Sequence, residues 1–359
     1  MDSLIGITAG DWWKLLKQNR FGIDPLYWPK ALVLTYLSIQ NSIYRKKEER
    51  IYHPEIKNVK IEKAPIFILG HWRSGTTLLQ NLLALDKQFA YPTVFQCNHP
   101  HTFLNRERRL TKLIAKRKLQ ARPMDNVEVT PLSPSEEEFA LGILSLRSPL
   151  FAWPFPRHEE FYDQYLTFKR VPKEEVRQWQ AAFTFFVKKL TWRFEKQLVL
   201  KSPANTGRIG LLLELFPDAK FVHIHRNPYV VFQSTKRLYE KAVAAAYLQH
   251  PRTTDFTNGI IKRYAEMYDA FFAERDLIPN GNYLEVCFEE LEQDQFGQVQ
   301  KIYEYLKIPA FEKFQPILKQ YVESIADYKK SKHPHLDDMT RQNIIHAWRR
   351  SFDEWGYEL

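Results

Sequence analysis

Cysteine is scarce in this chain: 359 residues hold two, Cys97 and Cys287. Two thiols cannot build a disulfide framework or a cysteine-rich metal site, so free thiols in a reducing compartment are expected. Long apolar runs are also lacking. The best of them, ALVLTYLSI at 31–39, is too short to cross a bilayer. The opening MDSLIGITAGDWWKLLKQNR has no basic start followed by an apolar stretch, so no secretory leader is expected and the location reads as cytoplasmic. No internal repeat or low-complexity tract is evident, which argues against a solenoid or a disordered chain.

What is present is ample core material. Hydrophobic residues make up 44%, and there are 25 Phe, 18 Tyr and 9 Trp. The formal net charge of +10 favours an anionic partner, whether nucleic acid, phospholipid or a charged small molecule. Solubility is the plainer reading of the same charge.

Residues 1–63 read as an N-terminal amphipathic helical layer. DWWKLLKQNRF and YWPKALVLTYLSIQNSIYRKKEER set Trp, Leu and Tyr on one side and Lys and Arg on the other. Such a layer packs on the main body, or residues 1–50 make peripheral contact with a membrane. From residue 64 strands alternate with helices. IFIL (66–69), QLVLK (197–201), KFVHIH (220–225) and NYLEVCF (282–288) are short apolar strands, each followed by a helical pattern. Asn227 as cap and Pro228 in the first helical position mark one helix start. This alternation predicts an α/β fold, a parallel sheet flanked by helices. Between about 92 and 196 the pattern loosens into a helical insertion. That insertion includes a very basic stretch at 105–122 and the aromatic run SPLFAWPFPRHEEFYDQY. A basic stretch of this kind suits nonspecific nucleic-acid binding. It equally suits the flank of an anion site, which is the preferred reading, so no specific nucleic acid is expected.

In open parallel sheets, ligands bind beyond the carboxyl ends of the strands. Here the first strand ends in Gly70 and the turn HWRSGTT, the second in Lys201, and the third in Arg226. Glycines let a turn aim successive N–H groups inward at an anion, and the following helix N-terminus adds positive potential. A nucleoside triphosphate loop needs Lys after its second glycine, and the chain has Thr76 there. The metal-holding acid of such NTPases is missing too, since the third strand ends in a cation. The turn therefore reads as an anion cradle that is not built for an ordinary triphosphate.

GHWRSGTTLL, followed far downstream by FVHIHRNPYVVFQS, resembles the sulfotransferase family. LVLKSPAN between them is similar to that family's middle strand, and FPDAKFVHIHRNP resembles its bacterial branch. The likeness covers 65–85 and 197–240 well and the tail HAWRRSFDEWGYEL loosely. It implies a P-loop NTPase-like sulfotransferase fold, with a sulfotransferase domain at 64–359. It also implies transfer of a sulfuryl group from 3′-phosphoadenosine-5′-phosphosulfate (PAPS), with no metal expected. Carried over position by position, Ser74, Gly75, Thr76 and Thr77 hold the 5′-phosphate. Arg226, with Ser234 eight residues later, binds the 3′-phosphate. Arg73 stands where one branch has Lys and the protein-tyrosine branch has Arg, and it meets the leaving phosphate. Lys201 lies near the transferring group.

The general base departs from the family. Where the bacterial pattern often has His, this chain has Asn205, and where the tyrosine-sulfating branch uses Glu, it has a segment ending in Gln96. Glu136 and Glu137 are the base candidates, with Glu138, His99 and His101 behind them. SPSEEEF also reads as a capping box from Ser135 to Glu138. Lys332 or His333 could serve the 3′-phosphate or the adenine, though a solvated charge run explains them as well. The rings of Phe151, Trp153, Phe155, Phe161, Tyr162 and Tyr165 line an apolar acceptor pocket or pack a core. With the amphipathic N-terminus they favour a small-molecule or lipid-like acceptor, a hydrophobic alcohol, phenol or lipid whose hydroxyl (or amine) takes the group, with a carbohydrate or peptide acceptor left open. A P-loop phosphotransferase and a catalytically weak nucleotide-binding relative are the rival readings.

Overall fold

The structure is a computed structural model that describes residues 4–107, 120–121, 128–325 and 336–359. Most of the basic stretch at 105–122, together with Lys332 and His333, lies outside the described residues. The chain divides into two compact units. The sheet unit comprises Lys63–Tyr91, Lys196–Arg237 and Asp255–Leu359, and the helical unit Met1–Glu62, Pro92–Glu195 and Leu238–Thr254.

Five strands form the sheet: β1 (Ile66–Leu69), β2 (Phe89–Ala90), β3 (Gln197–Lys201), β4 (Lys220–His225) and β5 (Tyr283–Cys287). Their order is β2-β3-β1-β4-β5, and every pairing is parallel. The predicted α/β sheet is thus observed, and the four strands read from sequence lie where the apolar runs place them. The edge strand β2 is new; two residues carry too short a pattern to signal a strand.

Side chains alternate across the sheet. Ile66, Ile68, Val199, Val222, Ile224, Leu284 and Val286 share one core with Leu79, Leu82 and Leu83 of the helix Thr76–Ala84. Each buried aliphatic side chain contributes about 1.5–3 kcal/mol relative to exposure. On the other face Phe67 stacks on Phe221 at 5.5 Å, and β4 and β5 present His223, His225, Glu285 and Cys287. His223 and Glu285 are register partners and hydrogen-bond at 2.7 Å. Trp355 donates to Glu285 at 2.9 Å and stacks on His225.

The helical unit is built from Ala9–Gln18, Trp28–Lys57, Val94–Asn98, Glu137–Ser145 and Lys173–Phe194, with a small antiparallel pair, Gln120–Ala121 and Glu128–Val129. Thr8 caps the first helix by accepting from the Asp11 N–H. Thr93 and Gln96 form a reciprocal capping box at the third. The box expected from Ser135 is not the one observed: the helix Glu137–Ser145 takes Glu136 as its N-cap residue, with no side-chain cap bond. Glu138 instead accepts from the Ser148 hydroxyl at 2.7 Å inside the unit.

Candidate functional site

The glycine turn hangs between β1 and the helix Thr76–Ala84. Gly70 (φ +140°) ends the strand, and a Cβ there would stand 2.4 Å from the carbonyl oxygen of Ile224 in β4. Gly75 (φ +103°) ends the turn, and its Cβ would stand 2.2 Å from the Phe288 ring. Both positions exclude any side chain. Between them Arg73 adopts φ +74°, a left-handed conformation that costs a non-glycine residue about 1–2 kcal/mol. The turn is fixed from outside and from within. The Gly70 N–H donates to the Thr206 hydroxyl at 2.7 Å and the His71 N–H to the Tyr268 hydroxyl at 3.3 Å. The Ser74 N–H and hydroxyl both donate to the His71 carbonyl. Ser74 therefore shapes the cradle, and the first-turn N–H groups at Thr76 and Thr77 have no partners within their own helix.

The end of β4 meets this turn, and the end of β3 lies beside β1. Asn227 caps the helix Pro228–Lys241 by accepting from the Tyr229 N–H at 3.0 Å, as its sequence predicts. Its own N–H donates to Glu289 at 3.1 Å, which in turn accepts from the Tyr357 hydroxyl at 2.8 Å. This clasp orients Arg226 one residue earlier and Ser234 two turns later. Arg73 Nε donates to Ser234 Oγ at 2.8 Å. Arg226 Nη1 reaches the Arg73 carbonyl at 3.4 Å, and its guanidinium lies 4.0 Å over the Phe288 ring. Burial, and to a lesser degree the Arg73 charge, hold Arg226 below the usual guanidinium range, while Glu289 and Glu292 act the other way. Arginine stays charged regardless. Lys201 closes β3, buried, in register with Ile68 of β1.

Arg73, Ser74, Gly75, Thr76, Thr77, Arg226 and Ser234 thus come together in the sheet unit, with Lys201 at the neighbouring strand end. Two neighbours, Thr206 and Phe288, carried no signal in the sequence. Thr206 anchors Gly70, and Phe288 supports both Gly75 and Arg226. His71 is buried with its pKa lowered to about 4 by burial, and its Nδ1 contacts the Trp72 carbonyl at 2.7 Å. Ser202 is buried with a hydroxyl that finds no hydrogen-bond partner among the described residues. Thr206 and Phe288 reach the turn through tertiary adjacency.

Glu136 and Glu137 lie in the helical unit at the start of Glu137–Ser145; Glu136 is half-buried and Glu137 fully buried. Gln96 is buried, and beyond its capping role donates to Glu107 at 3.1 Å. His99 is held down to about 3, by burial first and Arg106 second, and burial pushes His101 well below the usual imidazole range. Imidazoles so weakened make poor bases at neutral pH. Of the aromatic run, Phe151, Phe155 and Tyr162 are core, while Phe161 and Tyr165 line an 840 Å³ cavity within the helical unit. Among the described residues no group of three His, Cys, Asp or Glu is placed to hold a metal ion, and no helix is long and apolar enough to cross a membrane.

Comparison with known proteins gives this site its context. A sequence profile described as the sulfotransferase family matches residues 65–313. The chain is 33% identical over 357 residues to the omega-hydroxy-beta-dihydromenaquinone-9 sulfotransferases Stf3 of Mycobacterium bovis and Mycobacterium tuberculosis. That match spans 99% of this chain and 91% of theirs. The crystal structure of sulfotransferase STF9 from Mycobacterium avium superposes with a TM-score of 0.65 at 15% identity, covering 99% of this chain and 98% of that one. That of STF1 from M. tuberculosis gives 0.63 at 19%, covering 94% and 92%. These two likenesses support the fold. The profile match and the full-length relatives establish that this chain belongs to the sulfotransferase family, as an enzyme that moves a sulfuryl group from a sulfonate donor.

Proposed function

We propose that the donor is PAPS and that the acceptor is the hydroxyl of a lipid-like molecule, met by a cytoplasmic enzyme whose residues 1–50 contact the membrane peripherally. The observation that carries the donor reading is the convergence of Arg73, Arg226 and Ser234 on the Gly70–Gly75 turn. The Arg73 side chain meets Ser234 and the Arg226 guanidinium meets the Arg73 carbonyl, so two cations flank one turn, an arrangement that suits a ligand with two separated phosphates. Thr76 in place of Lys and Arg226 at a strand end disfavour the phosphotransferase reading.

PAPS supplies an activated sulfuryl group whose departure leaves charge on a phosphate oxygen. The N–H groups at Gly75, Thr76 and Thr77 and the threonine hydroxyls hold the 5′-phosphate. Arg226 and Ser234 take the 3′-phosphate. Arg73, released from Ser234, turns its guanidinium to the developing phosphate charge, and Lys201 neutralises the transferring group. The unpartnered Ser202 hydroxyl beside Lys201 suits a further donor to that group. The acceptor proton goes to a carboxylate of the Glu136–Glu137 pair. The acceptor class rests on the full-length relatives, whose named substrate is a hydroxylated menaquinone derivative.

The test is thermal shift of the purified chain with 3′-phosphoadenosine 5′-phosphate against ATP with Mg²⁺. The expected result is a rise in Tm with the former alone, since a ligand selective for the native state stabilises it. A shift with ATP and magnesium only overturns the donor. For the base, Glu136→Gln and Glu137→Gln are compared by rate against pH. Loss of the acid limb in one variant identifies the base, and unchanged profiles in both remove the pair.

A further inference from the structure

The helix Trp28–Lys57 has two apolar sides, and the fold uses one. Ala31, Leu34, Ser38, Asn41, Glu48 and Ile56 are buried. At 3.6 residues per turn they fall within roughly 100° of arc. Trp28, Leu32, Tyr36, Ile39 and Ile43 fall within roughly 80° on the opposite side. Each of these five is between 52% and 71% exposed. Scattered exposed apolar residues are ordinary, but an unbroken line of five along four turns is a contact surface. The same line continues toward the helix end as Lys46, Lys47 and Arg50, all exposed.

We infer that this line is a docking face for an anionic lipid surface, the helix lying flat with Leu32, Ile39 and Ile43 in the acyl boundary. Trp28 and Tyr36 suit the interface, where one end of the ring system is wet and the other apolar. Lys46, Lys47 and Arg50 meet headgroup charge, in keeping with the +10 of the whole chain. A second copy of this chain fits the face badly. An antiparallel pair of these helices would lay cations on the partner's aliphatic Leu32, and a parallel pair would oppose cation to cation. The inference deepens the membrane contact proposed above and rests on that reading, but it is independent of the donor assignment.

Flotation of the full chain with vesicles tests it. Binding to phosphatidylcholine mixed with phosphatidylglycerol is expected to exceed binding to phosphatidylcholine alone by about tenfold or more, and to weaken with salt. The variant Leu32→Glu/Ile39→Glu/Ile43→Glu is expected to lose binding at least tenfold. Lys46→Ala/Lys47→Ala/Arg50→Ala should lose the preference for anionic vesicles while still binding weakly. Because all six positions are exposed, an unchanged Tm shift with 3′-phosphoadenosine 5′-phosphate serves as the fold control. The inference is overturned if the wild type stays unbound with both vesicle types, or if the Glu variant floats as well as the wild type. It is equally overturned if the wild type is a dimer that the Glu variant makes monomeric, since a second copy then covers the face. Failure of the nucleotide shift with vesicle binding intact defeats the donor reading alone.

Discussion

Lys189, buried in the helical unit, and Arg226, half-buried in the sheet unit, are cations held in different ways. Lys189 Nζ meets Glu48 at 2.5 Å and the Pro100 carbonyl at 2.6 Å, and it lies 4.4 Å from the Phe103 ring. Its charge is answered within the fold. Burial lowers its pKa and raises that of Glu48, and each charge opposes the shift in the other. Arg226 is held beside another arginine, against an aromatic face and a backbone carbonyl. Lys189 is paired directly by a buried carboxylate, whereas Glu289 and Glu292 favour the Arg226 charge while burial and Arg73 oppose it. The comparison predicts which substitutions cost stability and which cost activity.

The largest effect on stability belongs to Lys189. Lys189→Ala leaves Glu48 buried without its partner, and such a break typically costs about 3–5 kcal/mol. Urea denaturation should show it as a lower midpoint. Replacing both partners, Lys189→Met with Glu48→Leu, should recover part of the loss, since no buried charge is left unpaired but the Pro100 carbonyl and the Asn105 N–H lose their present partners. If the double variant is as unstable as the single one, the pair is not self-contained and the contrast with Arg226 fails.

Arg73→Ala reverses the pattern. It removes a bond to Ser234 and leaves Ala at the same φ of +74°, where its Cβ meets the same strain as that of Arg, so stability should change little. The rate should fall about 10²–10³-fold, the scale seen when one preorganised charge-stabilising donor is lost. Single-turnover rates beside a thermal melt separate the two. Near-normal turnover would remove Arg73 from the mechanism and leave the arginine pair a structural feature like Lys189–Glu48.

The sheet unit also holds a titratable pair of the structural kind. Glu285 is lowered to about 2, its hydrogen bond from His223 and the charges of His223 and His225 outweighing burial. A carboxyl lower in the folded state than its ordinary 4.5 adds stability that is complete above about pH 4.5 and is lost as pH falls toward 2. Glu285→Gln should flatten the acid limb of stability across that window and leave neutral-pH activity in place. An unchanged acid limb would mean that other carboxylates govern it.

The same contrast explains what was legible in the sequence. The strand tips carry backbone rules that reach only a few residues: Gly70 and Gly75 where no Cβ fits, Asn227–Pro228 at a helix start, and alternation along IFIL and KFVHIH. Those rules placed the sheet and the turn. Phe288 beneath Gly75 and Thr206 beside Gly70 obey no local rule, because their role exists only once distant segments meet. In the helical unit the apolar pattern is ambiguous. Phe151 and Phe161 read alike as pocket aromatics, yet the first is core and the second lines the cavity. The helix Trp28–Lys57 reads as amphipathic, but apolar residues occupy both its buried and its exposed faces, and sequence cannot say which face the fold uses.

The smallest predicted effect lies where local and catalytic readings competed. The family resemblance sets the segment ending in Gln96 where one branch has a glutamate, yet in this chain Gln96 accepts the Thr93 N–H at 3.0 Å while Thr93 Oγ1 accepts the Gln96 N–H at 3.2 Å. That is a capping box, and Thr93→Ala should cost about 1 kcal/mol of stability with turnover kept. Gln96→Glu sharpens the point. It keeps the carbonyl-type oxygen for the cap but turns the amide that donates to Glu107 into a second acceptor. Two buried carboxylates would then share one site, so one must take up a proton. The variant should therefore lose stability as pH rises through the raised carboxyl pKa, with no gain in rate. A faster Gln96→Glu enzyme would show that this position still faces the acceptor, and that the helical unit holds a working acid–base site at Gln96.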